Sequence, residues 1–356
     1  MPDVISPPPA VPLAPKPEKT NRLGLTMDAY KGAESTLCSG CGHDSITSQI
    51  IKACYESGIP PHKVAKLSGI GCSSKTPAYF LSKSHGFNAV HGRMPAVATG
   101  VNLANHNLNI IGVSGDGDTA SIGMGQFVHM VRRNAKIVYI IENNGVYGLT
   151  KGQFSATADM GSGSKKGDVN EMIPIDCCGL AIELGCTFVA RSFSADMKQL
   201  CALLKAALHH NGTAVLDVVS PCVTFNNHEG STKSYKYAKD HEMALHDIDF
   251  IEHIEPQAPV DLPAGEVRDI ELHDGSHVRL KKLGEDYDPT DRQAAVMSIE
   301  KSRREQLFLT GLLYLDKTRR PFSEQCGVIP EPLATIANER VRPPKKVLDE
   351  IMATLT

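Results

Sequence analysis

The stretch LNIIGVSGDGD, residues 108–118, joins a short apolar run to a turn in which two aspartates alternate with glycines. The apolar part has the length and content of a buried strand, and so has KIVYIIE at residues 136–142. The intervening residues 119–132 have the spacing of a helix. A buried strand, a helix and another buried strand in succession predict a parallel sheet covered by helices.

The same alternation continues on both sides of this unit, from about residue 44 to residue 220. It predicts further helices at 44–57, 94–104, 175–184 and 195–209 and further strands at 64–70, 88–91, 186–190 and 214–219. We therefore predict an α/β fold with a doubly wound, mostly parallel sheet. Ligands of such sheets bind at the carboxyl ends of the strands, and the unusual residues of this sequence fall there.

The sequence changes character outside this region. We predict a proline-rich arm over residues 1–25, a binding domain over residues 26–245 and a C-terminal extension over residues 246–356. A helix is expected near residues 292–313 of the extension. Residues 151–170 are rich in Gly, Ser and Lys and are predicted to be a mobile loop over the site.

The composition is that of an ordinary globular protein, and it excludes several classes of function. A formal net charge of -3 argues against general binding to nucleic acid or to membrane surfaces. No apolar run is long enough to span a bilayer, and the N-terminus lacks the charged and apolar regions of a secretory signal. These features predict a cytoplasmic protein.

Gly115-Asp116-Gly117 and Asn143-Asn144 stand at the ends of two predicted strands, with 25 residues between Gly117 and Asn143. A carboxylate and an amide oxygen are hard ligands of the kind that Mg²⁺ prefers. The glycines let the backbone approach a diphosphate, and the helix that follows offers its N-terminus to anionic oxygens. The pair is the pattern of thiamine-diphosphate enzymes, and the alternative is two ordinary turns between strands and helices.

Four of the ten cysteines share a setting that suits a metal centre. Cys38 and Cys41 lie in a C-S-G-C-G-H knuckle, whereas Cys72 and Cys222 are single cysteines at predicted strand ends. Four thiolates suit a [4Fe-4S] cluster or a structural zinc, and one close pair with two distant singles favours the cluster. The other cysteines are predicted to be ordinary core residues, namely Cys54, Cys177, Cys178, Cys186, Cys201 and Cys326.

Six motifs occur in an order that resembles a known family. They are C-S-G-C-G-H (38–43), G-I-G-C-S (69–73), H-G-R (91–93), G-D-G-D (115–118), N-N-G-V-Y-G-L-T-K-G-Q (143–153) and S-P-C-V-T-F-N (220–226). Together they resemble the β subunit of 2-oxoacid:ferredoxin oxidoreductases, most closely the 2-oxoglutarate type. The resemblance covers about residues 30–240 and leaves the arm and the long extension unexplained.

This resemblance implies a fold of the thiamine-diphosphate-binding (pyrophosphate) domain type and a particular reaction. The family converts 2-oxoglutarate and coenzyme A reversibly into succinyl-CoA and carbon dioxide and passes the electrons to ferredoxin through a [4Fe-4S] cluster. Its cofactors are thiamine diphosphate, Mg²⁺ and the cluster. The metal ligands that carry over are Cys38, Cys41, Cys72 and Cys222 for the cluster, and Asp116, Asn144 and the carbonyl of Val146 for Mg²⁺.

The resemblance also implies residues that contact the cofactor and the substrate. The cofactor contacts that carry over, beside the metal ligands, are Gly71, Cys72, Ser73, His91, Gly115, Gly117, Asp118, Gly148, Leu149 and Thr150. Lys75, Lys151, His91 and Arg93 are the expected catalytic or substrate-facing residues. The dicarboxylate substrate needs a cation for its distal carboxylate. The alternatives are solvated lysines and, for His91 and Arg93, a structural turn.

The chain contains only one doubly wound unit of suitable size, so the pyrimidine half of the thiamine site is expected from an α subunit. We predict an obligate complex, (αβ)₂, that uses ferredoxin as electron acceptor. Three alternatives remain open at this point. They are a pyruvate-type enzyme of the same family, a non-oxidative thiamine-diphosphate enzyme with a structural zinc, and a zinc-stabilised subunit with no catalytic role.

Overall fold

An eight-stranded, mostly parallel sheet forms the centre of the computed structural model, which describes residues 19–165, 167–253, 267–282 and 287–355. The strands are β1 Val64–Ser68, β2 His85–Asn88, β3 Asn109–Gly115, β4 Ile137–Asn143, β5 Val146–Tyr147, β6 Gln153–Phe154, β7 Phe188–Phe193, β8 Thr213–Val219, β9 Glu242–Ala244, β10 His246–Ile251, β11 Val267–Glu271, β12 His277–Lys282 and β13 Phe308–Leu315. Most of the predicted arm, residues 1–18, lies outside the described residues.

Ten α-helices accompany these strands in the described ranges. They are α1 Gly42–Glu56, α2 Met94–Ala104, α3 Met124–Arg133, α4 Cys177–Glu183, α5 Met197–His209, α6 Tyr235–His241, α7 Arg292–Arg304, α8 Phe322–Gln325, α9 Asn338–Val341 and α10 Lys345–Ala353. Among the residues that the structure describes, no helix is both long and apolar enough to cross a bilayer.

The main sheet has the order β2-β1-β3-β4-β8-β7-β13-β9, and only β13 and β7 pair antiparallel. In the register of the central strands, Gly115 lies opposite Glu142 and Asn143 lies opposite Val219. The strands β3, β4 and β8 therefore end at one edge, and the chain leaves that edge at Asp116, Asn144 and Ser220. This register brings the predicted motifs together.

Successive side chains of the central strands pack into two apolar layers, one on each face, as expected for a sheet buried on both faces. Ile111 and Val113 pack on one side with α1 and α5, whereas Ile110 packs on the other side with α2 and α3. In β4, Val138 and Ile140 join the first layer, whereas Ile137, Tyr139 and Ile141 join the second. The prediction of a doubly wound α/β fold is confirmed.

The predicted helix at 119–132 is instead a π-helical turn, Asp118–Ile122, followed by α3. The break falls at Gly123, whose backbone packs against the backbone of Gly92 so closely that a Cβ would lie 2.9 Å from Gly92 Cα. Such single π-helical turns are frequent at functional sites. Here the turn brings the H-G-R segment against the Gly-Asp-Gly-Asp turn.

The prediction of a helix over residues 292–313 is wrong for the second half of that range. The helix ends at Arg304, and Phe308–Leu315 is a fully buried strand that pairs with β7. A short apolar run such as FLTGLLYL fits a buried strand as well as a buried helix, so its periodicity could not decide between them. The domain boundary at residue 245 stays a prediction, although β13 lies beyond it and completes the main sheet.

Candidate functional site

The carboxyl edge of the sheet holds a cavity of about 300 Å³. All the residues that the sequence predicts as cofactor contacts line it, namely Gly71, Cys72, Ser73, His91, Gly115, Asp116, Gly117, Asp118, Asn144, Val146, Gly148, Leu149 and Thr150. His43, Glu142 and Tyr147 also line it, and none of the three was predicted as a site residue. The structure thus gathers the predicted residues in one place, and their individual roles stay predictions.

Asp116 is buried at the base of this cavity, directly after β3. Its Oδ2 atom accepts hydrogen bonds from the Gly145 N–H at 3.1 Å, from the Thr157 hydroxyl at 2.5 Å and from the Ser155 hydroxyl. The backbone of Asn144 also donates a hydrogen bond to this carboxyl group. Burial raises the pKa of Asp116, and the Ser155 and Thr157 hydroxyls oppose that rise.

The two adjacent asparagines do different things. Asn144 lines the cavity, and its side-chain oxygen accepts the Val146 N–H at 3.0 Å across a turn at Gly145, whose φ of 74° favours glycine. Asn143 turns away, donating to Asp217 Oδ1 at 2.9 Å. Asp116, Asn144 and the Val146 carbonyl offer a carboxylate, an amide and a backbone oxygen, which is the hard donor set that fits Mg²⁺.

The turn after β3 packs closely against its neighbours because it is built from glycines. A Cβ on Gly117 would lie 2.4 Å from Tyr147 Cε1, so the backbone and the tyrosine ring are already in contact. Nearby, the hydroxyl of Ser73 is buried and has no hydrogen-bond partner within the described parts of the chain. An unpaired hydroxyl beside a glycine turn fits a diphosphate, whose oxygens accept hydrogen bonds.

Asp118 holds the neighbouring turn rather than standing free in the cavity. Its Oδ1 accepts the Gly92 N–H at 2.8 Å, and its Oδ2 accepts the Ser114 hydroxyl at 3.0 Å. Both oxygens are therefore occupied by donors of the protein. This contact fixes the H-G-R segment, so that His91 reaches the cavity.

The four predicted cluster cysteines lie beside this cavity. A Cβ on Gly148 would lie 3.5 Å from Cys72 Sγ and 3.6 Å from Cys222 Sγ. Burial raises the pKa of Cys41 to about 12, and the charges of Glu142 and Cys222 add to the effect. Burial also raises the pKa of Cys72, again with contributions from Cys222 and from Cys38. Each of the four thiols is thus linked to at least one other by an electrostatic interaction. Such a group suits a metal centre, because the metal binds thiolates and its positive charge compensates theirs.

Over residues 19–165, 167–253, 267–282 and 287–355, no three His, Cys, Asp or Glu side chains are arranged to hold a single metal ion. Of the other cysteines, five are buried and Cys326 is exposed, the buried ones being Cys54, Cys177, Cys178, Cys186 and Cys201.

A buried carboxyl and a buried imidazole lie between the cysteines and the cavity. Glu142 accepts the Thr76 hydroxyl at 3.0 Å, and its Oε2 is 3.6 Å from His43 Nε2. Burial raises the pKa of Glu142 well above its ordinary value and lowers that of His43 to about 4. Burial thus favours the neutral form of each group. A glutamate at the end of the otherwise apolar strand KIVYIIE was the available signal for this pair.

Three of the four predicted catalytic residues do not line the cavity. Lys75 is partly exposed and donates to the Thr36 hydroxyl at 3.3 Å, whereas Arg93 and Lys151 are exposed. Only His91 reaches the cavity wall. The roles of all four residues stay predictions.

Part of the segment predicted as a mobile loop is tied to the site. β5 and β6 form a short antiparallel pair, after which Ser155 and Thr157 reach Asp116. The Ala156 N–H also donates to the Ser121 hydroxyl at 3.2 Å. Neither Ser155 nor Thr157 was predicted as a site residue, because their spacing from Asp116 in the sequence carries no signal.

Two known families match the chain. Residues 69–218 match the family described as "Thiamine pyrophosphate enzyme, C-terminal TPP binding domain". Residues 277–331 match the family that describes the C-terminal part of the pyruvate ferredoxin oxidoreductase beta chain. The second match covers β12, α7 and β13, so the strand that completes the main sheet belongs to a recognised unit.

Curated relatives and one solved structure are also similar. The 2-oxoacid:ferredoxin oxidoreductase subunit beta of Saccharolobus solfataricus is 44% identical over 193 residues, 53% of this chain and 63% of the relative. The 2-oxoglutarate synthase subunit KorB of Methanocaldococcus jannaschii is 36% identical over 213 residues, 58% of this chain and 78% of the relative. This chain thus spans just under two thirds of the first of these relatives.

The solved structure is a 2-oxoglutarate:ferredoxin oxidoreductase from Magnetococcus marinus with 2-oxoglutarate, coenzyme A and succinyl-CoA bound. The TM-score is 0.71 at 29% sequence identity, and the superposition covers 91% of this chain and 95% of that one. The similarity therefore extends over the C-terminal part of the chain as well as over the cavity.

Proposed function

The chain belongs to the 2-oxoacid:ferredoxin oxidoreductase β-subunit family, and from this membership we propose that it is the cofactor-binding subunit of a 2-oxoglutarate:ferredoxin oxidoreductase. The reaction joins 2-oxoglutarate and the thiol of coenzyme A to give succinyl-CoA, carbon dioxide, one proton and two electrons, and ferredoxin takes the electrons. The observation that carries the proposal is Gly148. It lines the cavity and lies against the sulfur atoms of Cys72 and Cys222.

Asp116, Asn144 and the Val146 carbonyl would hold Mg²⁺, and the turn at Gly117 together with the Ser73 hydroxyl would receive the diphosphate. When bound, thiamine diphosphate supplies the electron sink that lets a 2-oxoacid lose carbon dioxide. The chain's own contribution is to fix the diphosphate end against a buried wall and to exclude water from it. The low exposure of Asp116, about 1%, supports that role.

Cys38, Cys41, Cys72 and Cys222 would hold a [4Fe-4S] cluster, which supplies one-electron capacity. Support comes from the electrostatic interactions that connect the four thiols and from the position of Cys72 in the cavity wall.

The 2-oxoglutarate type is supported by the relatives named KorB and by the M. marinus enzyme. Lys75, Lys151 and Arg93, which do not line the cavity in this chain alone, are the cations predicted for the distal carboxylate of this substrate. The match to the pyruvate ferredoxin oxidoreductase family over residues 277–331 favours pyruvate as the second candidate substrate. Pyruvate has no distal carboxylate, so it would not need such a cation.

An α subunit would complete the site by supplying the pyrimidine half, and the complex would be (αβ)₂. The relatives are themselves named as β subunits, which supports a partner chain. Apolar side chains at the cavity rim, Ile122 and Leu149, are about half exposed in this chain alone. A partner that covers them would also close the cavity.

Co-purification of the chain with its α subunit tests the proposal. Ferredoxin or viologen reduction should require coenzyme A and should be faster with 2-oxoglutarate than with pyruvate. The protein should be brown, and dithionite should bleach its visible absorption. A preparation that contains zinc but no iron, or that turns over without an electron acceptor, would contradict the proposal. Faster turnover of pyruvate would support the second candidate.

A further inference from the structure

The loop after β6 supplies two hydroxyl groups to the carboxylate of Asp116. Ser155 Oγ and Thr157 Oγ1 both lie within hydrogen-bond distance of Oδ2, and the Gly145 N–H donates to the same oxygen. Three donors therefore converge on one oxygen. A backbone hydrogen bond from Asn144 also reaches this carboxylate, but both hydroxyls of the loop lie against Oδ2.

This asymmetry fixes how the carboxylate is turned. Hydrogen bonds to a charged carboxylate are stronger than neutral ones, so rotation of the group would break three of them at once. Oδ1 is left as the oxygen that can bind a metal ion. Without the loop, only backbone N–H groups, those of Gly145 and Asn144, would hold the carboxylate, and its orientation would be less firmly fixed.

Thr157 occupies the central position in this arrangement. Its hydroxyl has a single proton, and it lies 2.5 Å from Asp116 Oδ2 and 2.9 Å from Asn143 Oδ1. The charged carboxylate is the stronger acceptor and should take the proton when a cation is present. Asn143 in turn is held by Asp217, so Thr157 sits between the carboxylate and a fixed buried group.

We infer that Ser155 and Thr157 are positioning residues for magnesium, because they hold Asp116 with Oδ1 directed to the metal. This inference rests on the proposed function. It adds that the affinity for the metal depends on a loop which supplies no ligand itself. By reciprocity, the bound metal should stabilise the loop.

Manganese is a suitable probe, because its electron paramagnetic resonance signal reports free and bound ion directly. The full-length chain, purified with its α subunit and freed of metal and cofactor, is titrated with Mn²⁺ in the presence of thiamine diphosphate. Thr157→Val removes the hydroxyl and keeps the shape. We expect its dissociation constant to rise about tenfold or more, as is common when an outer partner of a metal ligand is removed.

Two variants serve as comparisons. Thr157→Ser keeps the hydroxyl and should restore binding to near the wild-type value. Thr99→Val removes a buried hydroxyl that donates to the Pro95 carbonyl within α2 and does not line the cavity, so it should leave binding unchanged. Ser155→Ala should weaken binding in the same direction as Thr157→Val. If Thr157→Val does not fold, Ser155→Ala decides the question alone.

The outcomes separate the two proposals. If wild-type protein shows no manganese binding that depends on thiamine diphosphate, the proposed function is overturned. The positioning role, which rests on that function, is then overturned as well. If wild-type protein binds manganese and the folded Thr157→Val or Ser155→Ala variant binds it within about twofold of wild type, the positioning role alone is overturned. Weak binding that Thr157→Ser does not restore would also overturn it.

Discussion

Gly117→Ala should damage the cavity through a single added methyl group. The added Cβ would lie 2.4 Å from Tyr147 Cε1, 2.5 Å from Cζ and 3.0 Å from Cδ1. The backbone of Gly117 has φ -67° and ψ -44°, which alanine adopts freely. The whole effect should therefore come from the contact with the tyrosine ring and not from backbone strain.

The ring cannot move aside without loss, because the Tyr147 hydroxyl donates to the Gly117 carbonyl at 3.0 Å. Forcing an extra methyl into a packed site costs about 1–3 kcal/mol. Losing the hydrogen bond costs about 1 kcal/mol more. We therefore expect the free energy of unfolding to fall by about 2–4 kcal/mol, less the few tenths that alanine gains over glycine in a helical conformation.

Urea unfolding followed by circular dichroism measures this change. Gly125→Ala in α3 is the matched control, because a Cβ there would meet no atom within 4 Å. It should leave the stability unchanged or raise it slightly. Adding Tyr147→Ala should cost less in the Gly117→Ala background than in wild type, since the clash is then removed. Gly117→Ala with the stability of Gly125→Ala would refute the reasoning.

Three further variants test other parts of the structure. Cys222→Ser should lower the iron content and the visible absorption of the purified complex, and unchanged iron would contradict its role as a ligand. Burial lowers the pKa of His246 to about 4, from 6.5, and its Nε2 accepts the Leu312 N–H. Stability should therefore fall as the pH drops from about 6.5 to about 4, by up to about 3 kcal/mol, since the unfolded chain binds the proton first. His246→Gln should lower by about one the number of protons that the chain takes up on unfolding. Urea unfolding at several pH values measures this number, and an unchanged pH dependence would contradict the role given to His246. Arg191→Met removes the cation that pairs with the buried Asp217 and one of the two that pair with Asp176, the other being Arg303. Unfolding should become easier by about 3–5 kcal/mol, and a change below about 1 kcal/mol would count against a structural ion pair.

The sequence was sufficient for the features that depend on local order along the chain. A buried strand, a helix and a second buried strand determine that Gly115 and Asn143 end side by side, because parallel strands joined by one helix share an edge. The spacing of Cys38 and Cys41 similarly predicts one tight turn, and the Cys41 N–H donates to the Cys38 carbonyl at 3.0 Å. In both cases the residues that matter belong to one short unit or to neighbouring ones.

The sequence was insufficient where distant segments meet. β13 joins β7 across more than a hundred residues, and nothing local distinguishes its apolar run from a helix. Ser155 and Thr157 meet Asp116 because a two-residue strand pair turns the loop back over the site. Glu142 is a comparable case, since its partners Thr76 and His43 come from separate parts of the chain.

The sequence also contained a reason to assign different roles to the two residues of the Asn143-Asn144 pair. Successive side chains of a strand point to opposite faces, so two adjacent asparagines at a strand end cannot both face the same cavity. Asn143 is the last residue of β4 and follows its alternation towards Asp217, whereas Asn144 lies beyond the strand, where the turn at Gly145 directs it to the cavity. The alternation along β4 turns Asn143 away from the cavity. Gly145, which has a positive φ, then directs Asn144 into it. A motif read as one unit therefore divides into a residue that holds the protein together and a residue that faces the cofactor cavity.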